Sequence, residues 1–153
     1  MKIAVDFDGT CVDHQYPEIG MDAPLAVATL KDLVKAGHSL ILYTMRSAQH
    51  LTDAINWFSQ RGIALHGVQV DPEQNKWTTS TKCYADIYID DRSFGCPLIT
   101  VQGYARKCVN WKAVRETLLV PATLVGTGVN ESVSPPSTRP AFGLRLLRWP
   151  PSS

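Results

Sequence analysis

Charge of one sign is what this chain lacks most plainly. Fifteen Lys and Arg stand against fourteen Asp and Glu, leaving a formal net charge of +1. No broad field arises, which excludes tight, nonspecific nucleic-acid binding driven by bulk charge and leaves only local patches. Cysteine is sparse and unpatterned: Cys11, Cys83, Cys96 and Cys108 form no Cys-x-x-Cys pair and have no His at zinc-like spacing. Four cysteines allow two disulfides, but nothing in the pattern calls for an oxidising compartment, so free thiols in a cytoplasmic protein are expected. Long apolar runs are missing as well. No stretch approaches the roughly 20 residues needed to span a bilayer, and Asp6 breaks the first apolar run too soon for a secretory signal. No internal repeat is present. What remains is a hydrophobic content of 44% over 153 residues, enough for one domain with a real core and too little for two ordinary ones.

Short apolar runs alternate with helical periodicities. Residues 2–6 read as a buried strand and 11–22 as a loop. Asp22 is a candidate N-cap for a helix over about 23–36, in which Val27, Leu30, Leu33 and Val34 recur on one face and Gly37 ends the element. Residues 39–44 form a second buried run. Ser47 is placed to cap a helix whose inner face carries Leu51, Ala54, Ile55 and Phe58, and Gly62 stops it. A weaker strand is expected near 64–70, a polar loop over 71–80, and strands at 87–90 and 98–101. Asn110 is a candidate cap for a last helix ending near Leu119. Strands alternating with helices predict parallel pairing through right-handed crossovers, hence an open α/β sheet covered on both faces. Beyond 120 the composition changes: six of the ten prolines lie there, mixed with Ser, Thr and Gly. The chain thus divides into a folded domain over 1–120 and a Pro/Ser-rich tail over 121–153, expected to be disordered. Its basic, apolar stretch from Phe142 to Trp149 reads as part of that tail rather than a membrane contact.

In such sheets, binding sites gather at the carboxyl ends of the strands. Three expected strands end in Asp6, Thr44 and Asp90. The first continues as Asp6-Phe7-Asp8-Gly9-Thr10. Alternation puts Asp6 and Asp8 on one side, and Gly9 lets the chain turn away, leaving paired carboxylates beside backbone N–H groups expected to be free. That combination suits a divalent cation together with an anionic group.

Asp6-Phe7-Asp8-Gly9-Thr10, Thr44 after a strand, Lys82, and Asp90-Asp91 after another strand resemble, in order and spacing, the four motifs of the haloacid dehalogenase superfamily. More narrowly, Tyr16-Pro17-Glu18-Ile19-Gly20, Tyr43-Thr44-Met45-Arg46 and the run from Ala85 to Arg92 resemble a group of small, minimally capped bacterial and phage hydrolases. The resemblance covers about residues 2–119. It implies a Rossmann-like three-layer α/β/α sandwich around a central parallel sheet, with little or no cap. It also implies a Mg²⁺-dependent phosphatase. Asp6 would be the nucleophile that forms an aspartyl-phosphate, and Asp8 the general acid and base. Thr44 would donate to a phosphoryl oxygen and Lys82 would supply positive charge. The metal ligands would be Asp6, the backbone carbonyl of Asp8, and Asp90 or Asp91. Gly95 and Cys96 stand where many members carry a further acid, so the choice between Asp90 and Asp91 stays open.

Gly9, Thr10, Arg46 and His14 are candidate substrate contacts. Neither 11–22 nor 71–81 is long enough for an independent cap, so an open site is expected, with the 11–22 loop as a small lid. A small phosphorylated metabolite is the favoured substrate class, with room for an oligomeric partner to close the site, and a phosphoryl group on a nucleic-acid end is the alternative. A metal- or phosphate-binding regulatory module without turnover is the reading from a different class.

Overall fold

The structure, a computed structural model, describes residues 1–119; the expected tail over 121–153 lies outside the described residues. Four parallel strands form the sheet, in the order β3-β2-β1-β4. They are β1 (Lys2–Val5), β2 (Ser39–Leu42), β3 (Gly67–Val68) and β4 (Ile87–Ile89). In β1, Ile3 faces Leu40 on one side and Ile87 on the other. Ile3, Ala4 and Val5 are all buried, as are Leu40, Ile41 and Leu42. Consecutive strand residues point to opposite faces, so the centre of the sheet is covered on both. This is the α/β architecture that the alternating pattern predicts.

Helix α1 (Ala26–Lys35) joins β1 to β2, and α2 (Ala48–Gln60) joins β2 to β3. The last helix, α3 (Trp111–Leu119), lies against α1, where Arg115 pairs with Asp32 at 2.5 Å. Phe7, just past β1, packs edge-on to Trp57 of α2 at 5.5 Å, while Leu30, Leu33 and Trp111 fill the core around it. The four cysteines are unpaired, and among the described residues no helix is long and apolar enough to cross a membrane.

Several element boundaries differ from the sequence reading. Asp22 does not cap α1. Its carboxylate holds the Trp57 indole N–H at 2.8 Å and the Arg61 guanidinium at 2.8 and 3.0 Å. The helix starts later, behind Leu25, whose φ of 65° lies in the left-handed region. Ser47 occupies the N-cap of α2 without a side-chain hydrogen bond, whereas Asn110 does cap α3, its Oδ1 accepting the Ala113 N–H at 3.3 Å. The 98–101 strand does not extend the main sheet. Leu98–Ile99 (β5) pairs antiparallel with Cys108–Val109 (β6), a strand the sequence does not signal. β6 and the start of α3 lie against the segment after β1: Val109 N–H reaches the Gly9 carbonyl at 3.0 Å, and Trp111 Nε1–H reaches that of Thr10 at 2.7 Å.

Candidate functional site

A cleft of about 530 Å³ opens at the carboxyl edge of the sheet, lined by Asp6, Asp8, Thr44, Asp90 and Asp91 together with His14, Tyr16, Met45, Arg46, Arg92 and Arg106. The parallel arrangement accounts for this convergence. Asp6 follows β1, Asp90 follows β4 and Thr44 lies just past β2, three adjacent strands that run in the same direction.

Carboxylate oxygens of Asp6, Asp90 and Asp91 lie within 4.8 Å of one another. Burial pushes the Asp6 carboxyl up from 3.8 to about 7, and the neighbouring Asp90 and Asp91 charges push the same way. Against them act the Phe7 backbone N–H and the Thr10 hydroxyl. Three crowded acid oxygens are a hard, all-oxygen donor set, so these residues fit a divalent cation. Asp90 and Asp91 differ in their surroundings. Asp90 Oδ1 accepts the Arg92 N–H at 2.7 Å. Asp91 is nearly buried, and its Oδ2 faces two guanidinium groups, Arg106 at 3.4 Å and Arg92 at 3.6 Å.

Thr44 is buried at the cleft floor, its Oγ1 accepting the Arg46 N–H at 3.3 Å and keeping its own proton for a further acceptor. Gln69, which the sequence reading passed over, holds this turn. Its Oε1 accepts the Thr44 N–H at 3.0 Å, and its Nε2 donates to the carbonyls of Thr44 and Arg46. Gln69 itself adopts a φ of 62°, a conformation uncommon outside glycine that aims the carboxamide back at β2.

Four expected substrate or charge contacts take other parts. Arg46 is not available to a phosphate. Its Nε and Nη2 grip both Asp8 oxygens at 2.7 Å, and it donates to the carbonyls of Pro17 at 3.0 Å and Glu18 at 2.7 Å. It is enclosed between the Phe7 and Tyr16 rings, so it fastens the 11–22 loop to Asp8. Thr10 is fully buried; its hydroxyl donates to Asp6 at 3.2 Å and accepts the Asp91 N–H at 3.1 Å. It ties the acids together and does not line the cleft.

Gly9 offers no free amide, because its N–H goes to the Val12 carbonyl, while those of Thr10, Cys11 and Val12 go to Phe7. The expected cradle of free N–H groups is therefore absent at residues 9–12. Gly9 serves instead through its missing side chain: its φ is +83°, and a Cβ there would stand 2.7 Å from Asp91 Oδ2 and 3.3 Å from Arg106 Nη2.

Lys82 does not line the cleft. Its carbonyl is held by the buried Gln74 carboxamide at 2.9 Å, and its Nζ lies 5.8 Å from the centre of the Tyr88 ring. The chain then enters β4 at the amino edge of the sheet, where the Asp86 N–H bonds the Lys2 carbonyl at 2.8 Å. Order in the sequence suggests a lysine here, but the loop ahead of β4 carries it elsewhere. His14 does reach the cleft, and its Nδ1 is buried without a hydrogen-bond partner.

A second acidic group, His66, Asp71 and Glu73, lies at the amino edge of the sheet. The Lys2 ammonium already occupies it, 2.6 Å from Asp71 and 3.2 Å from Glu73. This is an ion-pair knot that anchors the start of β1.

No family model matches the chain, and neither does any curated protein. Among solved structures it is similar to a conserved protein coded by a locus from Bacteroides thetaiotaomicron, with 38% sequence identity over 76% of this chain and 88% of that chain, and a TM-score of 0.64. At that identity and coverage, this chain belongs to the same family as the conserved Bacteroides thetaiotaomicron protein.

Proposed function

We propose that the chain is a phosphatase of the haloacid dehalogenase type, on a Rossmann-like three-layer sandwich with little or no cap, that hydrolyses a phosphate monoester through Asp6. The observation that carries this reading is the meeting of Asp6 with Asp90, Asp91 and Thr44 at one open sheet edge. Asp6 and Asp90 would hold Mg²⁺, since Asp91 already faces two guanidinium groups. When bound, the ion screens the repulsion between the acids and an anionic substrate.

In the first step an Asp6 oxygen attacks phosphorus, the bond to the leaving oxygen breaks, and that oxygen takes a proton from Asp8. In the second, water attacks the same phosphorus, gives a proton to Asp8, and releases phosphate and the Asp6 carboxylate. Thr44 donates its free proton to a phosphoryl oxygen throughout. Asp8 must enter the first step carrying that proton; both its oxygens stand against Arg46 donors, so protonating one of them breaks one of those contacts before the leaving oxygen takes the proton.

Among the described residues no domain covers the cleft: Met45 at its rim is 98% exposed and Tyr16 is 53% exposed. Such openness admits a small phosphorylated metabolite or a nucleic-acid end, and the near-neutral charge favours the small molecule. The test is phosphate release from an aryl phosphate with and without Mg²⁺. Asp6→Asn is expected to lower turnover roughly a thousandfold or more while leaving the fold intact. Turnover at the wild-type rate in that variant would reject the reading. The Arg46 clamp on Asp8 favours one rival, a phosphate-binding module without turnover. A protein that binds phosphate yet releases none from a broad substrate panel would select it.

A further inference from the structure

A phosphatase at this cleft needs a cation that neither Arg46 nor Lys82 supplies. A transferring phosphoryl group spreads negative charge over its oxygens and needs donors aimed at them. The amides of residues 9–12 are bonded within their own turn, Arg46 is held by Asp8, and Lys82 lies outside the cleft. Thr44 supplies one hydroxyl. The cations left in the cleft are Arg92, whose side chain is 71% exposed, and Arg106, whose side chain is 30% exposed.

We infer that Arg106, with His14 beside the same acids, is the cationic group that binds a tetrahedral oxyanion in this cleft, in the part expected of Lys82. This rests on the phosphatase reading for its ligand class. Three observations support it. Arg106 lies over Gly9, within 3.4 Å of Asp91 Oδ2, and a Cβ at Gly9 would press on its Nη2 at 3.3 Å. Its Nε is buried without a hydrogen-bond partner, as is the Nδ1 of His14, although buried polar nitrogens are nearly always paired. Both line the cleft, where a multidentate acceptor would satisfy them.

The third observation is that Arg106 is firmly placed. The fully buried Asp13 accepts the Ala105 N–H at 3.1 and 3.3 Å, and Tyr104 Oη donates to the Asp22 carbonyl at 2.6 Å. The residues next to Arg106 are thereby fastened to the loop that follows Asp6. A planar guanidinium set in this way presents paired N–H groups to a phosphate, which a flexible lysine does not.

The experiment measures binding of inorganic phosphate by calorimetry in Mg²⁺ buffer, beside turnover of an aryl phosphate, for wild type, Arg106→Gln, Arg106→Lys and Lys82→Ala. Thermal melts establish that each variant is folded. Arg106→Gln is expected to weaken phosphate binding about tenfold or more, Arg106→Lys to recover part of it, and Lys82→Ala to stay within about threefold of wild type. Unchanged phosphate binding in folded Arg106→Gln overturns the inference. So does a loss confined to Lys82→Ala, or a wild type that binds no phosphate. A wild type without turnover whose phosphate binding still depends on Arg106 would remove the phosphatase reading and leave this one standing.

Discussion

Thr10 shows how much one oxygen decides at this site. Its hydroxyl donates to Asp6 and accepts from the Asp91 N–H, tying the end of β1 to the end of β4. Thr10→Val keeps the shape and removes both bonds, leaving a backbone donor without its acceptor. Unfolding in urea at pH 8 should show a loss of about 1–3 kcal/mol, and the Asp6 carboxyl, deprived of a donor, should titrate higher still. A variant as stable as wild type would mean that this bridge is not made. The site is legible in the sequence where strand ends place a residue, as for Asp6, Asp8, Thr44, Asp90 and Asp91. It is illegible where a partner from a distant segment sets the role. Spacing cannot reveal that Arg46 is fully taken up by Asp8 and the carbonyls of Pro17 and Glu18, or that Gln74 holds the Lys82 backbone outside the cleft. Arg106, Asp13 and Gln69 carry no motif at all and emerge only from the contacts of loops far apart in the chain.

Between elements, the informative place is the entry to α1. Ala26 N–H bonds the Ala23 carbonyl at 3.0 Å, so Ala23-Pro24-Leu25-Ala26 is a tight turn, and Leu25 at φ 65°, ψ 1° holds its third position. That is the type II geometry, which favours glycine there because a Cβ is strained in it. The sequence pattern assigns these residues to the helix, since Pro24 is tolerated in a first turn and Asp22 is a good cap. Tertiary contacts override it: Trp57 and Arg61 claim the Asp22 carboxylate, and the chain needs a turn before α1 can begin. Leu25 is 51% exposed, so little packing is at risk on replacement. Leu25→Gly should therefore stabilise the fold by up to about 1 kcal/mol, read as a higher denaturant midpoint with an unchanged slope. A clear loss would show that the turn does not hold Leu25 in the left-handed region. The sequence signals β5 but not its partner β6, for a related reason. Two-residue strands that bury Cys108 and Val109 against the core are too short to show periodicity.

For the whole molecule, a nearly neutral chain crowds Asp6, Asp90 and Asp91 together at the carboxyl edge of the sheet, and that crowding makes stability depend on pH and cations together. Burial and two neighbouring carboxylates raise the Asp6 carboxyl to about 7 in the folded protein, against 3.8 in the unfolded chain. The folded state therefore holds this proton more tightly. Its stabilising effect is complete below about pH 3.8 and is lost as pH rises through 7, at up to about 1.4 kcal/mol per pH unit. A divalent cation requires the ionised form and offsets the repulsion among the acids, so it stabilises most where the proton has left. Melting temperatures in EDTA should consequently fall between pH 5 and 8 relative to Asp6→Asn. The increment on adding Mg²⁺ should be small at pH 5, large at pH 8, and much reduced in Asp6→Asn at both. Were wild type and Asp6→Asn to share one pH profile in EDTA, and respond equally to Mg²⁺, the acids at this edge would not be acting as one charged cluster.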